Sequence, residues 1–273
     1  MKQYSSILAC LALIAPAPFT LAQPAAPVAA TPPAAPAAPV TAVTPPAAAP
    51  APVAPVRVDA SAPSPKKDSG TFLKRHESFL ARGKAGPIGL LFLGDSITEN
   101  WNKAPHIWKA YYEEYQPANF GIGGDLTQHV IWRIENGELD GIHPKVTVLM
   151  LGTNNTGGYT ADEILAADRK IVGLIRARIP ETKVLLLAIF PRGPVKARDG
   201  SRVDPMEIIN AANAGLAKLD DGVNVRFLDI NQKFLGQDGK IPKSIMPDQL
   251  HPSAAGYQLW ADAMRPLLME MMR

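Results

Sequence analysis

Four short apolar runs constrain this chain more than any other feature: L-L-F-L at residues 90–93, V-T-V-L-M-L at 146–151, K-V-L-L-L-A-I-F at 183–190 and V-N-V-R-F-L at 223–228. They are too short for ordinary helices, and the first three are too apolar to keep one face in water. That is the pattern of strands covered on both sides. Helical patterns alternate with them. Residues 71–82 place Phe72, Leu73, His76, Phe79 and Leu80 on one face, ending at Gly83, and residues 101–115 carry Ile107, Trp108, Tyr111 and Tyr112 at helical spacing. Leu126, Val130, Ile131 and Ile134 form a stripe ending at Gly137, and a Thr160/Glu163 capping box opens an apolar stripe that Pro180 stops. Asp204-Pro205-Met206-Glu207 starts another helix, and the last carries Tyr257, Trp260, Met264 and Leu267. A fifth strand runs into the glycines at 121–124. The expected class is α/β with a five-stranded parallel sheet, forming one domain over residues 66–273.

Open parallel sheets bind ligands at the carboxyl ends of their strands, and here those ends are polar. The first run closes on Gly94-Asp95-Ser96, which reads either as a nucleophile or as a turn and helix cap. The strand that runs into the glycines closes on N-F-G-I-G-G-D at 119–125, where three glycines in four positions permit positive φ and close approach to backbone N–H groups. Leu126 occupies the last position of G-x-G-x-x-G, so a dinucleotide fingerprint is not complete. Asp125 followed by Gln128 resembles a capping box. The run at 146–151 ends in Gly152-Thr153-Asn154-Asn155, and P-D-Q-L-H-P at 247–252 precedes the last helix. By itself D-x-x-H is more often structural, but with the other polar strand ends it supplies what acyl transfer needs. Ser96 would attack, His251 would accept its proton, and Asp248 would orient the imidazole. The N–H groups of Ser96 and Gly124 and the amide of Asn154 would receive the oxyanion.

These four blocks, in this order, resemble the SGNH or GDSL-type hydrolase superfamily. The stretch at 119–139, G-T-N-N and F-P-R-G are similar to the catalytic subunits of platelet-activating-factor acetylhydrolases and their bacterial relatives. The resemblance covers about residue 87 to the end. It implies a three-layer, flavodoxin-like α/β/α fold, hydrolysis of esters that often carry short acyl groups, no cofactor, and the roles just given to Ser96, Gly124, Asn154, Asp248 and His251. By analogy with exported bacterial relatives, the expected substrate is an acetylated saccharide or envelope glycan. Deacylation of a lipid, by an acetylhydrolase or lysophospholipase type of activity, is the alternative within the enzyme class. A glycan-binding module of the same fold without activity is the alternative outside it.

Composition narrows the partners. With 28 basic and 25 acidic residues, a net +3, nothing marks a nucleic-acid surface. The five histidines show no H-E-x-x-H type of ligand spacing, so no metal is expected. His76 reads as a core residue, and His129 and His143 as surface or helix-end residues. Trp101 either lines a cleft near Ser96 or, like Trp108, packs in the core. Residues 1–22 have the layout of a secretory signal peptide, with an apolar stretch too short to span a bilayer. Cleavage there would remove Cys10, the only cysteine, and leave no transmembrane segment; lipidation of Cys10 is the competing reading. Residues 23–65 hold thirteen of 27 prolines and almost no charge, which suits an extended, unpacked spacer, either a tether or tolerated low complexity. An exported protein, periplasmic or extracellular, is expected. The sequence sets no oligomeric state, and the segments 101–105 and 192–204 are expected as loops walling the site.

Overall fold

The computed structural model describes residues 57–273 apart from 69 and 198, so the signal segment and most of the proline-rich spacer lie outside the described residues. Seven strands are present there: β1 (Leu90–Gly94), β2 (Pro117–Gly121), β3 (Val146–Met150), β4 (Lys183–Leu187), β5 (Val195–Lys196), β6 (Arg202–Val203) and β7 (Val225–Leu228). Five of them form one parallel sheet in the order β2-β1-β3-β4-β7. The helices are α1 (Thr71–Lys84), α2 (Ser96–Glu99), α3 (Pro105–Tyr112), α4 (Thr127–Glu135), α5 (Ala161–Arg178), α6 (Met206–Leu216) and α7 (Ala254–Met271).

Side chains that alternate along a strand point to opposite faces, and both faces here are apolar. Leu91, Leu93, Leu149, Val184 and Leu186 pack with α1, α4, α5 and α6, while Leu90, Phe92, Val148, Leu185 and Leu187 pack with α3 and α7. The result is three layers, α/β/α, as expected. Numbered within the sheet, the strand order is 2-1-3-4-5, and its direction reverses between β1 and β3. That reversal opens the crevice where this topology places ligands.

Several local expectations change. The pattern over 101–115 does not form one helix: a 3-10 turn at Asn100–Lys103 precedes α3, and another at Glu113–Tyr115 follows it. Pro105 lacks the N–H that a continuing helix needs and holds Ala104 at φ −127°, ψ 53°, so a new helix starts there. Trp101 keeps the core position expected of it: it is 1% exposed, with its ring 4.5–5.3 Å from those of Tyr257, Trp260 and Tyr112. Helix α1 runs past Gly83 to Lys84. Within 192–204, taken as a loop, β5 and β6 pair as a short antiparallel hairpin.

The packed part also begins before residue 66. Arg57 donates to Gly158 O, pairs with Glu163 and lies 4.4 Å over the Tyr159 ring. Val58 O accepts from Tyr159 Oη at 2.8 Å, Ala60 O from Thr127 Oγ1 at 2.8 Å, and Ser64 N donates to Gln128 O at 3.1 Å. Ala60 is fully buried. An unpacked spacer reaching residue 65 is therefore replaced, from Arg57 on, by a strap held through its own backbone against α4 and α5.

Helix α2 lies unusually close to the sheet. A Cβ on Gly121 would stand 2.3 Å from Glu99 N and 2.8 Å from Asp95 O; one on Gly94 would stand 2.3 Å from Thr98 Oγ1 and 2.5 Å from Met150 O. Backbone cannot yield as a flexible side chain can. Gly121→Ala is therefore expected to cost about 1–3 kcal/mol, read as a lower urea midpoint with an unchanged slope.

Candidate active site

Strand β1 ends at Gly94, and α2 opens at Ser96 with the Asp95 carboxylate accepting from Ile97 N at 2.9 Å. Ser96 thus sits on a tight strand-to-helix turn at the sheet's carboxyl edge. Its Oγ lies 2.9 Å from His251 Nε2, and His251 Nδ1 lies 2.6 Å from Asp248 Oδ2. A carboxylate on Nδ1 fixes the proton there, which leaves the Nε2 lone pair to accept from the hydroxyl. The three-residue spacing works because the loop wraps the carboxylate: Asp248 Oδ1 accepts from the N–H groups of Leu250 and His251 at 3.0 and 2.8 Å. Gln249 between them takes φ +62°, uncommon for a residue with a side chain, and its carbonyl is held by Gly193 N at 2.7 Å. Partial burial pushes the Asp248 carboxyl up, but the hydrogen bonds from the His251 ring and backbone outweigh it and hold the group below the ordinary carboxylate range.

The glycine turn comes to the same place. Gly123 backs onto Ser96, since a Cβ there would lie 3.8 Å from Ser96 Cβ, and Gly124 has φ +72°. Neither Ser96 N nor Gly124 N meets an acceptor among the described residues, so both donors are free. Asn154 Nδ2 is held by Asp125 O at 2.9 Å and, at a longer 3.3 Å, by Asp95 Oδ2. The structure therefore gathers Ser96, Gly124, Asn154, Asp248 and His251 from loops after β1, β2 and β3 and before α7. Such a constellation can attack a carbonyl carbon and hold the negative oxygen that results.

A buried charge network lies beneath. Asp125 does not cap α4 as expected. Its carboxylate accepts from Arg133 Nε at 3.0 Å, and Arg133, with no exposed surface, also donates to Phe120 O, Gly94 O and Glu138. The cap is Leu126, whose N–H is received by His129 Nδ1 at 3.0 Å. Burial, then the Lys66 and Arg133 cations, pull the His129 pKa down to about 4, which keeps that nitrogen free to accept. His76 is a core residue facing Glu138, and His143 pairs with Glu181 in solvent. Burial pushes the Asp95 carboxyl up to about 7, with the Asp125 charge adding to the effect against the Ile97 hydrogen bond.

Sequence reasoning missed four charged side chains. Glu99 Oε2 accepts from Gly123 N at 2.7 Å, and Arg75 pairs with Glu99 at 3.3 Å while donating to Gly121 O at 3.1 Å. Lys66 Nζ donates to Gly123 O. Arg192, from F-P-R-G, donates to Thr153 O at 3.1 Å. None has a local signature, because each acts through backbone distant in sequence. A cleft of about 380 Å³ borders the triad, lined by Lys103, Pro247, Asp248, His251, Pro252, Ser253 and Ala254. Lys103 brings the 101–105 segment to its wall. An apolar groove of about 370 Å³, with Phe79, Trp108 and Phe120 among its walls, lies between α1, α3 and the outer edge of β2 and includes no triad residue. Among the described residues no three or more His, Cys, Asp or Glu side chains converge as metal ligands would.

Comparison with known proteins gives a consistent result. Residues 92–259 match the model of the GDSL-like Lipase/Acylhydrolase family. The chain is 37% identical over 205 residues to the alpha1 subunit of platelet-activating factor acetylhydrolase IB from Homo sapiens, covering 74% of this chain and 85% of that one. It is 36% identical over 203 residues to the alpha2 subunit from Rattus norvegicus, with shares of 74% and 85%. Among solved structures, a GDSL-like lipase from Bacteroides thetaiotaomicron superposes with TM-score 0.58 at 20% identity, over 71% of this chain and 97% of that one. A lipolytic G-D-S-L family member from Veillonella parvula superposes with TM-score 0.53 at 21% identity, over 66% and 97%. At those identities the structures speak to the fold alone.

Asp95 gives the site a pH-dependent stability. Its folded pKa stands above the unfolded value, so between about pH 4 and pH 7 the folded chain holds a proton the unfolded chain has lost, and stability falls as pH rises through that window. Urea unfolding at pH 5 and pH 7.5 is expected to show that loss, and Asp95→Asn to reduce it by on the order of 2–4 kcal/mol.

Proposed function

Because the chain belongs to the GDSL-like lipase/acylhydrolase family and is therefore an ester hydrolase, we propose that Ser96 is its nucleophile, served by His251 and Asp248, and that the preferred substrate is a short-acyl ester of a polar alcohol. The observation that carries this reading is the unbroken hydrogen-bond path Ser96 Oγ, His251, Asp248, at 2.9 and 2.6 Å.

The steps follow from that path. Ser96 Oγ attacks the ester carbonyl as His251 Nε2 takes its proton, and Asp248 stabilises the imidazolium. The carbonyl oxygen becomes negative and is received by the N–H groups of Ser96 and Gly124 and by Asn154 Nδ2. Asn154 exchanges its long 3.3 Å contact with Asp95 for the oxyanion, while the bond to Asp125 O keeps the amide in place. With a carboxyl poised near 7, Asp95 carries less negative charge against that oxyanion than an ordinary aspartate would. His251 then protonates the departing alcohol. A water molecule, deprotonated by the same imidazole, releases the acid and restores Ser96.

The acyl group is proposed to be acetyl, in keeping with relatives named acetylhydrolases. For the alcohol, the cleft beside the triad carries Lys103, Ser253 and two prolines, and the apolar groove lies elsewhere. A hydroxyl-rich saccharide suits those walls better than a long alkyl chain, and export by the N-terminal segment would bring the enzyme to envelope or extracellular glycans. The second reading, an acetylated lipid, is favoured by the relatives' names.

With p-nitrophenyl acetate, Ser96→Ala is expected to lower kcat by about 10⁴-fold or more and Asn154→Ala by about 10²- to 10³-fold. A Ser96→Ala rate equal to wild type would instead indicate a binding module. Acetyl esters should be cleaved faster than octanoyl esters, and acetylated xylan faster than an acetylated ether lipid; the reverse order would establish the lipid reading.

A further inference from the structure

The oxyanion turn is made of glycines, which have no side chain to hold a peptide plane in one orientation and lose the most freedom when fixed. Gly124 N–H nevertheless has to point at one spot. It shares a planar, trans peptide with the carbonyl of Gly123, so the two dipoles point in opposite directions, and whatever holds the oxygen aims the hydrogen. That oxygen is held by Lys66 Nζ.

On this basis, and resting on the oxyanion role just given to Gly124, we infer that Lys66 is a positioning residue of the active site: its ammonium anchors the Gly123 carbonyl, turns the Gly124 N–H into the oxyanion hole and polarises the amide.

The surroundings support this. Lys66 is only 23% exposed, and its Nζ lies 3.9 Å from Asp125 Oδ1, a carboxylate that Arg133 already holds at 3.0 Å. Its nearer partner is the carbonyl, so neutralising Asp125 is not its main contact. The preceding peptide is fixed as well, with Gly123 N–H received by Glu99, which pairs with Arg75. Successive amides of the turn are thus gripped by an anion on one side and a cation on the other. A charge-assisted bond to a carbonyl draws electron density toward the oxygen, which makes the attached N–H a stronger donor. Lys66 arrives on the strap that Arg57, Val58, Ala60 and Ser64 fasten to α4 and α5, and it lies outside residues 92–259, the part that the family model covers.

The test uses the full chain with p-nitrophenyl acetate, comparing wild type, Lys66→Met, Lys66→Arg and Ser96→Ala for kcat, KM and thermal midpoint. Lys66→Met is expected to lower kcat about tenfold with KM unchanged, a fraction of the 10²- to 10³-fold that loss of a whole donor costs. Lys66→Arg, which keeps a cationic donor, should remain within about threefold of wild type. A Lys66→Met enzyme with kcat within twofold of wild type overturns the inference, and so does a lower thermal midpoint with kcat of the folded enzyme intact, because that marks a purely structural lysine. Activity surviving in Ser96→Ala overturns the underlying reading of the site instead. Inactive Ser96→Ala beside an unimpaired Lys66→Met separates the two failures.

Discussion

The site depends on strand register. In the parallel sheet Gly94 pairs with Gly121 on one side and with Met150 on the other, so β1, β2 and β3 end at one level. Their loops then open side by side, and Ser96, Gly124 and Asn154 meet although up to 58 residues separate them in the chain. A slip of one residue between neighbouring strands would turn every side chain to the other face and exchange the two apolar cores. Because β1, β3 and β4 are buried on both sides, the register at the centre of the sheet is fixed by packing, and the level rim comes with it.

Glycine at the last position of β1 and of β2 converts that rim into a working geometry. It lets α2 descend onto the sheet until its backbone nearly touches the strands, which places Ser96 beside the turn at Gly123. Arg133 then ties the ends together from below, reaching Gly94 O, Phe120 O and the Asp125 carboxylate at once. A fully buried guanidinium is costly to desolvate, and ion pairs of this kind add little net stability against apolar replacements. Its value here is directional. One planar group with fixed donors keeps two strand ends and the glycine turn at constant spacing.

Much of this was legible in the amino-acid order. The strands with apolar faces, the polar residues at their ends and the D-x-x-H loop are short-range signals, and they led to the three-layer fold and to five residues that the structure brings together. Long-range effects were not legible. Asp125 read as a cap because its spacing to Gln128 fits one, yet Arg133, eight residues on, offers a buried carboxylate a stronger partner, and His129 took over the capping. Trp101, five residues after Ser96, does pack in the aromatic core, the reading preferred from the sequence. The strap at 57–68 differs from the uncharged run before it by Arg57, Asp59, Lys66, Lys67 and Asp68, but it is held largely through backbone groups and leaves no periodic apolar trace.

That strap redraws the edge of the functional unit. A fragment beginning where recognisable motifs begin would retain Ser96, Gly124, Asn154, Asp248 and His251, but it would lose Ala60, Phe72 and Phe79 from the core. It would lack the anchorage at Tyr159 and Thr127 that fixes where the chain enters the rim. The boundary of an enzyme of this shape is therefore set by the last tether point of its least conspicuous segment, and an excision guided by short motifs alone separates the residues at the rim from part of the core and of the frame that hold them.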